Sequence, residues 1–408
     1  LLYRATISIM YDILIVSLPE MDKDKPAPAL GFLKSYIEQN GFSVKTVDGN
    51  QIEDIDLIHL TISQFPAKYI GISVFSYEQK DIALEIGSEY NNVLYGGSGV
   101  QIDWPHGDYI VGEGEYALLE YLRGNKYYPG INGRPPQQID NLNNLPPPDY
   151  TEIHEEHNYE SAVISGSRGC VRNCTFCDVA SIWPKYRWWD GKTVAENMHK
   201  LADQGFKRIS FSDSLVNGSM KHFRTLCAEL AKIDRKLKWN GQFIIRAKNT
   251  FKESDFDNLA NSGCTGLTLG IESGNESVRH HMRKKFTNDD LDWFVNNLGK
   301  RKIKMKFLLI VGYPTETEEN FKETLDMLHK YKEYASTTEV SPHMMLIDKD
   351  TPLDHDHREL YDDFGFEWSN ENSDYKERYR RFLKIFEVGQ SLGYGFKQHA
   401  LDKIEKFG

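Results

Sequence analysis

Three cysteines, Cys170, Cys174 and Cys177, lie within one short stretch of the chain. Their offsets of four and three residues place three thiolates in one loop, and thiolates are the ligands that hold iron–sulfur clusters in proteins. Three cysteines can bind three corners of a four-iron cluster and leave the fourth iron open to a small chelating ligand. An open iron indicates a reactive centre rather than a purely structural one.

Two other uses of these cysteines have to be weighed. A disulfide is disfavoured because the amino-terminal stretch lacks the basic, apolar and small-residue pattern of a secretory leader, so we expect a reducing, cytoplasmic setting. A structural zinc ion is the stronger alternative, but zinc usually takes four ligands from paired Cys-x-x-Cys knuckles. The remaining cysteines, Cys227 and Cys264, belong to no second knuckle and are predicted to be small buried hydrophobic residues.

The motif Cys-x-x-x-Cys-x-x-Cys, with the aromatic Phe176 before its last cysteine, resembles the signature of radical S-adenosylmethionine (SAM) enzymes. The resemblance implies that Cys170, Cys174 and Cys177 hold a 4Fe-4S cluster whose open iron is chelated by the amine and carboxylate of SAM. An electron from a reductant such as flavodoxin or ferredoxin would then cleave a carbon–sulfur bond of SAM and release a 5'-deoxyadenosyl radical that abstracts hydrogen.

Composition limits the other functions. The chain has 408 residues, enough for two domains, and its formal net charge of -11 disfavours broad nucleic-acid binding. No apolar stretch is long enough to span a membrane. The basic runs at 279–285 and 300–306 are interpreted as solvated helix ends and loops rather than a polyanion site. We expect a monomer that binds neither membrane nor nucleic acid.

Prolines mark a change of organisation. A proline pair at 135–136 and a proline triplet at 146–148 bracket a polar, Asn-rich stretch, and proline forces extended backbone there. We predict a linker at 134–150 between an amino-terminal domain at 1–133 and a cluster domain at 151–348. A short helical carboxyl-terminal region is predicted at 349–408, with an amphipathic helix at 375–392.

In the cluster domain, short apolar runs alternate with amphipathic helical patterns, which is typical of βα units and a parallel sheet. A capping box of Thr315 and Glu318 is predicted to start the fifth helix, and the histidine-rich stretch at 343–357 is interpreted as a solvated loop. The predicted strands are 161–165, 208–212, 239–246, 266–271, 304–311 and 337–345. The predicted helices are 193–204, 219–233, 253–261, 289–300 and 316–331.

Charged side chains recur at the ends of these strands, where functional residues gather in parallel barrels. Arg246 can grip a carboxylate through two hydrogen bonds, and Glu272 can accept from ribose hydroxyls or an ammonium group. Both are therefore candidates for SAM contact. Asp213 is a further candidate, although an Asp just before a helix often only caps it.

Further motifs extend the resemblance. The stretch 270–273, which contains Glu272 and Ser273, is similar to the motif near the SAM ribose and methionine end, and 312–317 is similar to the motif that shapes the barrel floor. Patterns at 185–187 and 351–353 resemble those of the cobalamin-binding subgroup. The resemblance implies a partial (β/α)6, TIM-like radical SAM barrel.

The amino-terminal domain reads as a doubly wound, Rossmann-like α/β pattern. Its strands are predicted at 12–18, 43–47, 69–75, 93–95 and 109–111, and its helices at 28–40, 81–90 and 115–123. Glycines follow the later strands; alone they indicate tight turns, although glycine also lets backbone approach a large flat ligand. The domain resembles the cobalamin-binding module of the subgroup, which implies cofactor contacts from Leu30, Ser73, Gly96, Gly97, Gly112, Glu113 and Gly114.

One feature of many cobalamin proteins is absent: no Asp-x-His-x-x-Gly motif occurs to supply a histidine below the cobalt. Members of the subgroup commonly lack it, so cobalamin binding stays open beside a degenerate, cobalamin-free domain. We therefore expect a cobalamin-dependent radical SAM methyltransferase that acts on an unactivated carbon of a small or flexible substrate. The alternatives are radical rearrangement, cyclisation or oxidation with cobalamin unused or absent, and a noncatalytic metal-dependent binding protein.

Overall fold

A computed structural model describes residues 10–20, 23–52, 54–232, 237–360 and 368–397. The chain divides into two compact units. The first comprises residues up to 164 together with 193–210, and the second comprises 165–192 and the residues from 211 onward. The domain limits expected from the sequence, with a linker at 134–150, stay a prediction.

The first unit contains a five-stranded parallel sheet with the order β2-β1-β3-β4-β5. The order reverses between β1 and β3, which is the switch point of a doubly wound sheet. The Rossmann-like prediction is thereby confirmed. The strands are β1 (Tyr11–Ser17), β2 (Val44–Asp48), β3 (Ala67–Ser73), β4 (Val93–Gly96) and β5 (Asp108–Ile110).

The helices of this part of the chain are α1 (Pro28–Gln39), α2 (Ile55–Ser63), α3 (Lys80–Ser88), α4 (Gly114–Leu122) and α5 (Thr151–His157). The sequence patterns did not predict α2, because it is apolar on both faces. Leu57 and Leu60 lie on its exposed side, 52% and 55% exposed, while Ile58 and Ile62 are buried. The helix is therefore not amphipathic in the usual sense, and its periodicity is weak.

The cluster-bearing part of the chain contains six strands that alternate with helices, which is the repeat number of a (β/α)6 barrel. Within the first unit, β6 and β9 are neighbours; within the second, β10 to β13 pair in parallel in chain order. Two short strands, β7 before the cysteine loop and β8 after it, pair with each other as a two-residue antiparallel ribbon. The strands are β6 (Ser161–Ile164), β7 (Ser167–Arg168), β8 (Arg187–Trp188), β9 (Arg208–Phe211), β10 (Lys238–Phe243), β11 (Cys264–Glu272), β12 (Lys304–Val311) and β13 (Thr338–Met344).

Most predicted elements are confirmed within a few residues, and three match completely: β12, α9 and α14. The helices are α6 (Val179–Ile182), α7 (Gly191–Asp203), α8 (Met220–Ala231), α9 (Glu253–Asn261), α10 (Glu276–His281), α11 (Asn288–Lys300), α12 (Glu318–Lys330), α13 (Pro352–His357) and α14 (Tyr375–Leu392). Residue 233, the predicted end of the second helix, lies outside the described residues.

Three predictions were wrong in detail. The strand expected at 239–246 ends at Phe243, because the side-chain amide of Asn217 pairs with both the N–H and the carbonyl of Ile244. The fifth helix is capped by Thr317 with Asn320, and not by Thr315 with Glu318. The histidine-rich stretch contains α13, in which Leu353 is buried, so it is not simply a solvated loop.

Candidate active site

The cysteine loop begins directly after β7 and lies against the start of the next strand. Gly169 has a φ of 87°, and a β-carbon there would lie 2.8 Å from the carbonyl oxygen of Lys185. Only glycine suits both conditions. The turn therefore delivers Cys170 to the wall of a cavity of about 340 Å³ within the second unit, which Cys174 and Cys177 also line.

Burial raises the pKa of all three thiols, that of Cys177 to about 12. The negative charge of neighbouring thiolates raises the pKa of Cys174 and Cys177 further, so three thiolates without a cation are unfavourable in this cavity. Iron is the kind of cation that offsets this cost, and an open cluster takes three sulfur ligands. The donor set therefore fits a 4Fe-4S cluster with one open iron.

Glu272 lies at the end of β11, on the same cavity as the cysteines. Its φ of 69° is rare for a residue with a side chain, and the pairing of β11 with β12 shifts register between Gly270 and Glu272. This irregular backbone redirects the carboxylate at the strand end, and such strain recurs at functional sites. Glu272 lines the cavity, and its contact with SAM stays a prediction.

Lys284 is the partner of this carboxylate. Its ammonium donates to Glu272 Oε1 at 2.7 Å and to the carbonyl of Gly270 at 3.1 Å, and it lies 5.5 Å from the centre of the Phe176 ring. Burial lowers the pKa of Lys284, but Glu272 and the nearby thiols outweigh burial and raise it. A fixed positive charge thus lies between the carboxylate and the cysteine loop.

The interpretation of the basic run at 279–285 as solvated is wrong for Arg279 and Lys284, whereas Arg283 and Lys285 are exposed. Lys284 and Lys285 line the cavity, and Arg279 is fully buried and donates to the carbonyls of Ser273 and Gly274. The position of the run, in the loop region just after the Glu272 strand, was the available signal. In a βα barrel such loops lie on the functional face.

Asp213 follows β9 and binds Gly166 and Ser167, the residues that lead into the cysteine loop. It is 4% exposed and accepts from the Gly166 N–H at 2.8 Å and the Ser167 hydroxyl at 2.6 Å. Burial raises its pKa to about 7. It does not cap α8, because Ser219 does so. Asp213 is not among the residues that line the cavity, and its role as a cofactor contact stays a prediction.

Two further candidates lie outside the cavity lining. Arg246 directs Nε and Nη2 at the backbone carbonyls of Asn217 and Gly218. Ser273 is fully buried and accepts from the Asn275 N–H at 3.2 Å. Contact of either residue with SAM stays a prediction, and the guanidinium that does line the cavity is that of Arg172.

In the first unit, the expected cobalamin contacts gather at the carboxyl edge of the sheet. Ser73 and Gly96 end β3 and β4 and are paired in register. Gly97 has a φ of 119°, and a β-carbon there would overlap the carbonyl oxygen of Val74. Gly112 has a φ of 91° and precedes α4. Ligands of doubly wound sheets bind at this edge.

The other candidates in this unit have structural partners. Leu30, in the first turn of α1, is fully buried, and the carboxylate of Glu113 accepts from the N–H of Ile139. Gly114 is the first residue of α4. Contact between these residues and cobalamin stays a prediction. Among the described residues, we find no helix with the length and apolarity to cross a bilayer.

Comparison with known proteins identifies a family match for part of the chain. Residues 164–328 match the radical SAM superfamily. An uncharacterized methyltransferase of Pyrococcus horikoshii is 25% identical over 358 residues, which are 78% of this chain and 76% of that protein. The bacteriochlorophyllide d C-12(1)-methyltransferase of Chlorobaculum tepidum is 25% identical over 52% of this chain and 47% of its own length. The chain thus spans about half of that second relative.

Two solved structures share the fold. The radical SAM methyltransferase TsrM of Kitasatospora setae, solved with cobalamin and a 4Fe-4S cluster, has a TM-score of 0.69 at 20% identity, and the match covers 84% of this chain and 77% of TsrM. The cobalamin-dependent radical SAM enzyme OxsB, solved with aqua-cobalamin, has a TM-score of 0.66 at 18% identity, over 94% of this chain and 56% of its own. Radical SAM proteins use a 4Fe-4S cluster and SAM, in agreement with the cysteine cavity. Residues 164–328 therefore form a radical SAM domain, and the chain shares the α/β fold of TsrM and OxsB.

Proposed function

We propose that the protein is a cobalamin-dependent radical SAM methyltransferase that acts on an unactivated carbon of a small or flexible substrate. The observation that carries the proposal is the meeting of Cys170, Cys174 and Cys177 with Glu272 in one cavity, in a chain with a doubly wound module before the cluster strands. The reductant in this proposal is flavodoxin or ferredoxin, the setting is the cytoplasm, and the enzyme is a monomer.

The cavity supplies binding, orientation and exclusion of water. When bound, the cluster and SAM supply a hydrogen-abstracting radical and cobalamin supplies the methyl group. Cys170, Cys174 and Cys177 would hold the cluster, and Glu272 would accept from the polar groups of SAM at the strand end. Lys284 holds that carboxylate in place. Ile244, Leu308 and Ile310 line the same cavity and keep its wall apolar, which protects a reactive radical from water.

The methyltransferase half and the radical half can be tested without knowing the substrate. Protein purified without oxygen is reconstituted with iron, sulfide and hydroxocobalamin, reduced, and given SAM. Formation of S-adenosylhomocysteine that depends on bound cobalamin reports methylation of the cobalt. Formation of 5'-deoxyadenosine reports reductive cleavage of SAM at the cluster. Both products are expected, and Cys170→Ala should abolish the formation of 5'-deoxyadenosine.

The outcomes separate the rival functions. Deoxyadenosine without S-adenosylhomocysteine would refute methyl transfer and favour rearrangement, cyclisation or oxidation. Retained cobalt without S-adenosylhomocysteine would mean that cobalamin is bound for another purpose. Absence of both products from a protein with a full iron complement would favour a noncatalytic metal-dependent binding protein.

A further inference from the structure

Thr175 occupies a special place in the cysteine loop, between the second and third cysteines. It is 4% exposed, and each of its polar groups has a partner. Its N–H donates to the carbonyl of Met282 at 3.3 Å, its carbonyl accepts from the N–H of Leu353 at 2.8 Å, and its hydroxyl bonds to the hydroxyl of Tyr313 at 2.8 Å. One residue of the loop is thus held by three separate segments of the barrel.

The three partners come from distant parts of the chain. Met282 follows α10, Tyr313 follows β12, and Leu353 lies in α13. All three belong to one buried apolar cluster, against which Phe176 also packs. The attachment of Thr175 is therefore to a rigid base and not to a mobile surface segment.

Tyr313 fixes the direction of the hydroxyl pair. Its hydroxyl donates to the carbonyl of His281 at 3.3 Å, and it has only one hydrogen to give. The Thr175 hydroxyl must then donate to the Tyr313 oxygen. Tyr313 is 3% exposed, so no water can take over either bond without rearrangement.

By contrast, the arc between the first two cysteines is open to solvent: Val171 is 43% exposed and Asn173 is also exposed. A cluster held by a loop needs its three sulfurs at fixed separations. Since the first arc is exposed, the second arc, from Cys174 to Cys177, has to supply much of this rigidity. Thr175 lies in that arc.

We propose that Thr175 and Tyr313 are positioning residues for the cluster: their hydroxyl pair holds the Cys174–Cys177 arc in the geometry that retains iron. The inference rests on the proposed function only in that the loop holds a cluster. It adds a role for two residues that are not among those lining the cysteine cavity. It also explains why a tyrosine 138 positions away in sequence is buried beneath the loop.

The test compares the rate of iron release to a chelator, without oxygen, from reconstituted variants. Tyr313→Phe and Thr175→Val each remove one hydroxyl with little change in shape. We expect each to release iron about tenfold faster, which corresponds to about 1.4 kcal/mol. Thr175→Ser keeps the hydroxyl and should release iron within about twofold of the unmodified protein, as should the control described next.

The matched control is Tyr394→Phe. Tyr394 is also buried, 5% exposed, and donates a single hydrogen bond to the carbonyl of Leu328 at 2.8 Å, away from the cysteine loop. The substitution Tyr394→Phe should lower the melting temperature of the apoprotein about as much as Tyr313→Phe does. Equal iron release from Tyr394→Phe and Tyr313→Phe would show a general loss of stability and overturn the proposal.

Failure of this inference and failure of the cluster assignment give different results. If the unmodified protein holds iron, and Tyr313→Phe and Thr175→Val release iron no faster than the unmodified protein does, the positioning role is refuted while the cluster assignment stands. If the unmodified protein binds no cluster, both are refuted. An electron paramagnetic resonance spectrum of the reduced cluster that is changed in Tyr313→Phe and Thr175→Val, but normal in Thr175→Ser and Tyr394→Phe, would support positioning.

Discussion

The buried carboxyl of Glu316 gives a quantitative prediction of how stability depends on pH. Glu316 is 0% exposed; its Oε2 accepts from the Gly312 N–H at 2.7 Å and from Arg381 Nη1 at 3.1 Å. Its Oε1 has no hydrogen-bond partner among the described residues. Burial raises the pKa of Glu316 from 4.5 to about 7, although Gly312 and Arg381 lower it, and the nearby Glu318 adds to the rise.

The sign follows from proton linkage. The folded protein binds this proton more tightly than the unfolded chain does, so the added stability is complete below the unfolded pKa of 4.5 and is lost as pH rises through about 7. For these two pKa values, the contribution of Glu316 to the free energy of unfolding falls by about 1 kcal/mol from about pH 6 to about pH 8.

Urea unfolding of the apoprotein at several pH values, beside Glu316→Gln, measures this contribution. The variant cannot titrate at this position, so the unfolding free energy of the unmodified protein minus that of Glu316→Gln should decrease by about 1 kcal/mol over the interval. Asp213, whose pKa is also raised to about 7, titrates in both proteins and cancels. A difference that stays constant with pH would refute the reasoning, because it would mean that Glu316 is ionised throughout as an ordinary partner of Arg381.

Three further substitutions test other parts of the cluster domain. Lys284→Met leaves the carboxylate of Glu272 buried without its partner, so the free energy of unfolding of the apoprotein should fall by about 3–5 kcal/mol. Equilibrium dialysis should also show weaker binding of SAM to this variant. Gly312→Ala places a β-carbon onto Arg378 at a φ of 77° and should lower stability by about 2–4 kcal/mol in urea, whereas Gly124→Ala, with open space around it, should cost about 1 kcal/mol. Cys227→Ala should keep the iron content of the reconstituted protein unchanged, since this thiol is buried in α8.

The strands and the cysteine loop could be predicted because their signals are local. The apolar run of β12 and the amphipathic pattern of α14 each lie within one element, so periodicity alone sets their bounds. The three cysteines lie in one loop, and their spacing fixes their common position. The radical SAM prediction is confirmed by a family match over residues 164–328, which include the three cysteines.

The rest of the site depends on contacts between distant residues, which no local pattern reveals. The bond between Thr175 and Tyr313 joins separate strand–helix repeats. Lys284 was assigned to the surface because basic runs are usually solvated, and its burial becomes evident only once Glu272 is placed beside it. Arg246, a candidate for SAM contact, donates to the backbone carbonyls of Asn217 and Gly218, which the sequence did not predict, and its contact with SAM stays a prediction.

The order in which the chain is made has a consequence for the cysteine cavity. Its lining begins at Cys170 and ends at Asp348, and Leu353, which holds Thr175, comes later still. At ordinary rates of translation, the three cysteines are synthesised on the order of ten seconds or more before the last residues that line their cavity. During this interval they are open to oxidation and to the wrong metals. Iron can be enclosed by the complete cavity only after synthesis has passed β13, which makes cluster loading a late event in the life of this protein.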